Sequence, residues 1–417
     1  MQKEEVVGTT YFIDQTSVGD HHMVFNSCMI EILAAIFEDN RVVSVGIQSN
    51  QESMTQLLSK RIKKNIAFED INYPETETKN IIIKSLFYLR KEFIRFFNFN
   101  KLLRNTNTTD IIVLSITTFT SFLLFKLQKL FFKVPVIVVL HGDLDFVYNA
   151  TNFYEKLNGC IHKLIFKIKT QNFYYLVLNK ISKPFLIYDG FLKGREVFEI
   201  NHPYNNLSSS KLKINDAARS LVYFGHIGSL EVKRKNSHYI YELGDNFKEE
   251  IKEHKIQFEA IGLSTPSMAL YRNNWVNEIV GNEVNGKPKY LPRNEYESKL
   301  AGLDYALFFY SKDQYVFRAS GAIADAIAET IPLIVLEHPY FDYLFEKGGN
   351  IGHICKNTNE MKILIQEIIN NPQRFSIERR IQKQNFKKLQ ELMSVSSVAK
   401  DLDAQIEERN LYKEFSR

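Results

Sequence analysis

The sequence predicts an α/β protein of two doubly wound, Rossmann-like domains facing each other across a cleft, with C-terminal helices. Three observations carry this expectation. The chain of 417 residues is too long for one ordinary core and suits two domains of about 200 residues each. Runs such as IIVL and VIVVL are apolar at every position, the pattern of parallel strands buried on both faces. Such runs alternate with segments of helical periodicity, once in each half of the chain.

In the first half, VVGTTYFI (6–13) reads as a strand and DQTSVGDHH as a polar loop. A helix is predicted over 23–38, where Met23, Ile30, Leu33, Ala34 and Phe37 recur at helical spacing. RVVSVGI (41–47), DIIVLSI (110–116) and PVIVVLH (135–141) read as further strands. The most polar and serine-rich connection, NNLSSSKLKINDAARS (205–220), separates the halves. Beyond it, SLVYFGHIG (220–228), IQFEAIG (256–262), LDYALFFY (303–310) and IPLIVLE (331–337) repeat the strand pattern, with a helix over 236–252. From Pro372 the chain is charged and helical, with Ile377, Ile381, Leu389 and Leu392 as an apolar stripe. The expected divisions are a first domain over 1–204, a linker over 205–219, a second domain over 220–395, and a last helix, 396–417, crossing back toward the first domain.

Composition excludes several classes. With 45% hydrophobic and 24% charged residues the chain is globular rather than disordered. A net charge of +5 is mild for this length, and the basic stretches are interleaved with core-like aliphatics, so no nucleic-acid partner is expected. The charge is uneven, however. From Lys79 to Lys133 ten Lys/Arg face two acids, Glu92 and Asp110, and from Lys156 to Arg195 eight face Asp189 alone. Cys28, Cys160 and Cys355 are far apart, odd in number and without a CxxC pair. They argue against a disulfide framework or structural zinc and suit a reducing cytoplasm. No signal peptide is expected at the N-terminus, and the longest apolar run, TSFLLFKLQKLFF, is broken by Lys126 and Lys129, so no spanning helix is expected.

Ligands on doubly wound sheets sit at the C-terminal edges of the strands, so the loops there are the candidates. In VGDHH (18–22), Gly19 permits a tight turn and the following helix N-terminus would favour an anion; on the plain reading Asp20 merely caps that helix. There is no GxGxxG fingerprint here. In HGD (141–143), His141 ends a buried strand, placed to hydrogen-bond a ligand hydroxyl or to be an ordinary satisfied loop histidine. After SLVYFG, Lys233, Arg234 and Lys235 precede a helix, where they would meet phosphate oxygens or form a solvated basic helix start. In YVFRASGAIADAIAETIPLIVLEH (315–338), Ser320 and Gly321 open a helix whose Ile323, Ala326 and Ile327 are its buried side. Asp325 would accept two ribose hydroxyls and Arg318 would neutralise a phosphate; on the plain reading the two pair with one another or face solvent.

This order of features resembles the retaining glycosyltransferases of the two-domain type called GT-B, most nearly family 4 and its relatives. The resemblance rests on SGAIADAIAETIPLIV: a serine-glycine turn, a helix with an acid among small residues, then a proline before a strand. It implies that Asp325 holds the nucleotide ribose, that VGDHHMVFN is the N-terminal glycine loop, and that His141 lies near the sugar. It also implies a diphosphate site after SLVYFG, formed by Gly225, His226, Lys233 and Arg234 with Ser320 and Gly321. Two positions depart from the pattern: the first of the family's two acids falls on Phe317, and the basic residue after the strand glycine is His226.

The implied activity is transfer of a hexosyl or related sugar from a nucleoside-diphosphate sugar to a glycan or lipid-linked acceptor, in surface polysaccharide or glycoconjugate synthesis, with retention. No cofactor and no metal are implied; DLD (143–145) is the nearest approach to a DxD triad. His141, Arg318 and Asp325 are the expected catalytic group. Two rivals stay open, a nucleotide-sugar epimerase of the same fold and a non-catalytic scaffold. The stretch KSLFYLRKEFIRFFNFNKLLR (84–104) reads either as a surface lying on anionic lipid, making a cytoplasmic protein peripheral to the membrane, or as a core helix with a wet basic face.

Overall fold

The continuous apolar runs become the central strands of two parallel sheets. The computed structural model describes residues 8–74, 80–142, 144–205, 221–281, 290–313 and 315–411. The expected linker lies outside these apart from Asn205, as do Asp143 and the first seven residues. The first sheet contains β1 (Thr9–Asp14), β2 (Arg41–Gly46), β3 (Ile66–Asp70), β4 (Ile111–Ile116), β5 (Val136–Leu140), β6 (Phe173–Val177) and β7 (Val197–Glu199). Its order is β3-β2-β1-β4-β5-β6-β7. The second contains β8 (Val222–Leu230), β9 (Ile256–Ser264), β10 (Val276–Val280), β11 (Tyr305–Phe308), β12 (Leu333–Leu336) and β13 (Gly352–Cys355), in the order β10-β9-β8-β11-β12-β13. Every recorded pairing is parallel, and helices cross between strands, so both sheets are doubly wound as the sequence predicts.

Each sheet reverses its strand order once, between β1 and β4 in the first and between β8 and β11 in the second. These switch points splay the loops that follow the strands and open a crevice at the carboxyl edge. They are the positions at which a site is to be sought.

The chain divides into two units: residues 1–205, 317–319 and 393–417 form unit 1, and 206–316 with 320–392 form unit 2. Unit 1 has a core of Phe12, Met29, Leu33, Val113, Val139 and Leu176 among others. Its closing helix, Val395–Glu408, is capped by Ser394 and buries Val398, Leu402 and Ile406 in the same core, packing on the helix Met23–Ile36. Unit 2 has its own core around Phe224, Phe258, Ile240, Leu307 and Ile334. Burial of these side chains is the dominant stabilising term, at about 25 cal/mol per Å² of apolar surface removed from water.

The structure corrects three expectations. Five strands (β3, β6, β7, β10 and β13) add to the predicted set; four of them are short or end at half-exposed residues. The helix predicted over 236–252 is two, Tyr239–Asn246 and Lys248–Lys252, interrupted at Phe247, while Val232–Lys235 is a separate turn closed by Asn236 at φ 51°. In the helix Pro372–Met393 the apolar stripe is Phe375, Phe386, Leu389 and Met393; Ile377 and Ile381 are exposed.

Candidate functional site

In unit 2 the switch point gathers residues from two loops. β8 carries Gly225 and Gly228, each excluding a side chain for a different reason. A Cβ on Gly225 would lie 2.3 Å from Leu303 Cδ1. Gly228 has φ +96°, and its Cβ would stand 2.7 Å from that of Ala322, so glycine lets β8 approach the helix Gly321–Ala328 closely. The same missing Cβ would be 3.7 Å from Lys235 Nζ. Lys235 is thus folded over the strand rather than outward, and is buried.

The surroundings of Lys235 are aromatic. Its Nζ is 5.5 Å from the ring centre of Tyr315 and 6.0 Å from that of Tyr310, and it makes no ion pair with a carboxylate among the described residues. The two rings are 4.5 Å apart. Tyr315 is held at φ 69°, a left-handed conformation that costs an L-residue roughly 1–2 kcal/mol. An ammonium beside two π faces, with no carboxylate among the described residues, keeps donor capacity, and an anion would complete its surroundings.

The third component is the start of the helix Gly321–Ala328. Ser320 caps it, its Oγ accepting from Ile323 N at 3.4 Å and bonding Tyr310 Oη at 3.0 Å. Gly321 is exposed, and a Cβ there would meet nothing within 4 Å, so no protein contact demands the glycine. The free N–H groups of this first turn and Ala322 beside Gly228 bring a helix N-terminus to the crevice that holds Lys235.

Other expected residues are placed differently. His226 is wholly buried: Nδ1 meets Leu307 O at 2.8 Å and Nε2 meets Ser237 Oγ at 2.7 Å. Burial brings its pKa down to about 4, so it is a neutral bracket joining β8 to β11 and not a phosphate contact; this corrects its expected role. Lys233 is exposed, and Arg234 pairs with Glu231 at 3.3 Å. Of the KRK run, Lys235 is the residue turned into the crevice.

Asp325 is buried and its carboxylate accepts from Arg293 Nη2 at 2.8 Å and from the Tyr296 hydroxyl, whose pKa burial and this carboxylate push well above the usual range. Arg293 is shared with Glu297 at 2.6 Å. Arg318 has a partner within its own unit. Residues 317–319 belong to unit 1, where Asp145 accepts from Arg318 Nε and, at 3.3 Å, from Phe317 N. Asp145 of the DLD triad is thus taken up by an arginine. Phe317 packs in the same unit against Tyr148 at 4.7 Å and Phe185 at 5.1 Å, surroundings that would penalise a carboxylate.

At the switch point of the first sheet the carboxylate is taken up by its own loop and helix. The Asp14 carboxylate, at a register shift between β1 and β4, accepts from Ser17 N at 3.0 Å and Asn26 Nδ2 at 2.8 Å, and Asn26 Oδ1 accepts from Ser115 Oγ at 2.8 Å. This network fixes the loop that follows. Gly19, at φ 56°, donates to Ser49 Oγ at 3.1 Å, while Asn50 Nδ2 donates to the carbonyls of Gly19 and His21 at 2.7 Å each. Asp20 bonds Ser53 at 2.8 Å instead of capping the helix, whose cap position is His22 at φ 56°.

His141 meets this loop. Its ring lies edge-on to Phe25 at 4.6 Å and to His22 at 5.0 Å; one nitrogen bonds the Ser115 carbonyl, and Nε2, shielded from solvent, has no hydrogen-bond partner among the described residues. Burial, then the neighbouring His202 and His21, push its pKa down to about 3. The imidazole is neutral at physiological pH, fit to bond a hydroxyl and unfit to neutralise a phosphate.

No family model and no curated protein matches this sequence. Solved structures do match along nearly the whole chain. HepE of Anabaena, solved with UDP, has a TM-score of 0.61 at 13% identity, over 96% of this chain and all of its own. WaaG, a glycosyltransferase of lipopolysaccharide biosynthesis, has a TM-score of 0.58 at 10% identity, over 95% of this chain and 98% of its own. A Listeria monocytogenes protein assigned as UDP-N-acetylglucosamine 2-epimerase has a TM-score of 0.56 at 11% identity, over 98% of this chain and 99% of its own. At these identities the likeness is one of fold: two Rossmann-like domains of the GT-B type.

Proposed function

We propose that this protein is a glycosyltransferase that moves a sugar from a nucleoside-diphosphate donor to a hydroxyl of a glycan or lipid-linked acceptor, with retention. The observation that carries the reading is Lys235: a buried ammonium at a sheet switch point, beside a helix N-terminus, without a carboxylate partner among the described residues. Lys235 Nζ and the N–H groups at Gly321 and Ala322 bind the diphosphate. As the bond from the anomeric carbon to the diphosphate oxygen breaks, charge accumulates on that oxygen, where fixed donors stabilise it most. The acceptor oxygen forms its bond on the same face and its proton passes to the leaving phosphate, giving a nucleoside diphosphate. Asp325, steadied by Arg293, is assigned to the ribose hydroxyls, and in unit 1 neutral His141 is suited to bond a hydroxyl. Arg318, engaged by Asp145, has no part in this assignment.

The test is thermal unfolding with UDP, GDP, ADP, CDP and their sugars. A bound ligand at about a hundred times its dissociation constant adds about 2.7 kcal/mol. Stabilisation by one nucleoside diphosphate, lost in Lys235→Met, is expected. Silence across the panel removes the donor site and leaves a scaffold. The likeness to a protein assigned as an epimerase favours a second reading. Donor incubated without acceptor separates the two, since an epimerase converts it alone.

A further inference from the structure

The helix Ile81–Asn105 is packed against its unit over only part of its length. Glu92, Arg95, Phe99 and Leu103 make its buried face, and Glu92 is closed by Arg95 at 2.5 Å and by Ser121 Oγ at 2.6 Å. The preceding residues, IIIKSLFYLRK, are nearly all exposed although seven of the eleven are Ile, Leu, Phe or Tyr. Ile82, Leu86, Leu89, Phe93 and Phe97, 52–68% exposed, recur three or four residues apart and form one stripe away from the buried face. Arg90, Lys101 and Arg104 flank it, and Glu92 is the helix's one acid, buried and paired.

The apolar surface continues on neighbouring elements of the same unit. Tyr88 Oη meets Thr120 Oγ1 at 2.8 Å, and the adjoining Phe119 ring lies 5.8 Å from that of Tyr154. Tyr154 opens the helix Phe153–Lys167, on which Phe153 is 82% exposed and Leu157 44%, with Lys156, Lys163 and Lys167 alongside. A stripe of this size in water is costly unless covered. Basic residues dominate its flanks, with Glu155 the acid at the start of the second helix, a balance that opposes a second copy of the same face and matches an anionic layer. No described helix is long and apolar enough to cross a membrane.

We propose that this face of unit 1 docks on an anionic membrane surface. Ile82, Leu86, Leu89, Phe93 and Phe97 enter the headgroup–acyl boundary and the arginines and lysines beside them meet lipid phosphates. This relocates the contact expected from sequence: its centre is the start of the helix, including Ile81–Ile83, while Phe99 and Leu103 belong to the core. The inference does not depend on the donor-site reading.

Vesicle flotation of the full chain at physiological salt, without nucleotide, tests it. Binding to phosphatidylcholine vesicles with 30% phosphatidylglycerol is expected to be at least about tenfold tighter than to pure phosphatidylcholine. It is expected to fall at least about tenfold in Leu86→Glu/Phe93→Glu, and severalfold in Arg90→Gln/Lys101→Gln/Arg104→Gln. All five positions are exposed, and far-ultraviolet circular dichroism checks that the variants fold. No binding to anionic vesicles, or binding unchanged in the double variant, overturns the proposal. So does a stable dimer without lipid that Leu86→Glu/Phe93→Glu dissociates, which would make a second copy the occupant.

Discussion

The two sheets share a topology and differ in what they gather at the point where strand order reverses. In the first, Asp14 is engaged by backbone and amide donors, and the remaining site group is an imidazole held neutral by burial. In the second, an ammonium without a carboxylate partner among the described residues is held beside the start of a helix. The same fold thus prepares one crevice for hydroxyls and the other for an anion. Topology says where a ligand goes; the side chains gathered at that place say what chemistry it can carry.

That contrast can be broken most directly at the lysine. Lys235→Ala is expected to lower kcat/KM by about 10–150-fold, the equivalent of the roughly 1.5–3 kcal/mol of a hydrogen bond to a charged group. Lys233→Ala, at an exposed position two residues away, should stay within about twofold. Equal effects would dissolve the distinction between the buried and the exposed cation.

Acid probes one buried imidazole in each unit. His141, at about 3, and His226, at about 4, both sit below the ordinary value of 6.5. The unfolded chain binds their protons first on acidification, so stability is complete above about 6.5 and is lost as pH falls toward the folded values. At pH 5 each costs on the order of 2 kcal/mol. Urea midpoints between pH 7.5 and 5 should fall, and His226→Gln should flatten the slope.

A smaller effect concerns Asp325. Asp325→Ala strips Arg293 of a carboxylate partner at a partly buried site, for an expected loss of about 1–2 kcal/mol in addition to any loss of donor affinity. Asp325→Asn keeps an acceptor and should recover part of the stability, as read by calorimetric Tm. Smallest is Tyr315→Gly, which relieves the left-handed backbone. It should change stability by no more than about 1 kcal/mol while weakening diphosphate binding through loss of a ring beside Lys235.

Much of the scaffold was legible because continuous apolar runs admit few alternatives: β4, β5, β8 and β12 all fall where such runs predict strands. Edge strands such as β3, IAFED, and β10, VNEIV, carry no such run, since half of their side chains meet water. Within the site, Ser320 as helix cap is readable from local sequence. Which of three consecutive cations turns inward is not, because that is decided by the left-handed turn at Asn236 and by close approach at Gly228. Arg318 meeting Asp145, and His141 meeting His22, join residues over a hundred positions apart, and nothing local marks either pair.

The closing helix Val395–Glu408 has a consequence for how the protein is made. Unit 1 begins with the first residues and ends with the last, with most of the intervening stretch devoted to unit 2. A ribosome adding about 5–20 residues per second needs roughly 10–40 s to pass from residue 205 to residue 393. Throughout that interval the helix Met23–Ile36 lacks the cover it has in the finished molecule. The unit synthesised first is therefore the one completed last, and its nascent form is the species most in need of a chaperone.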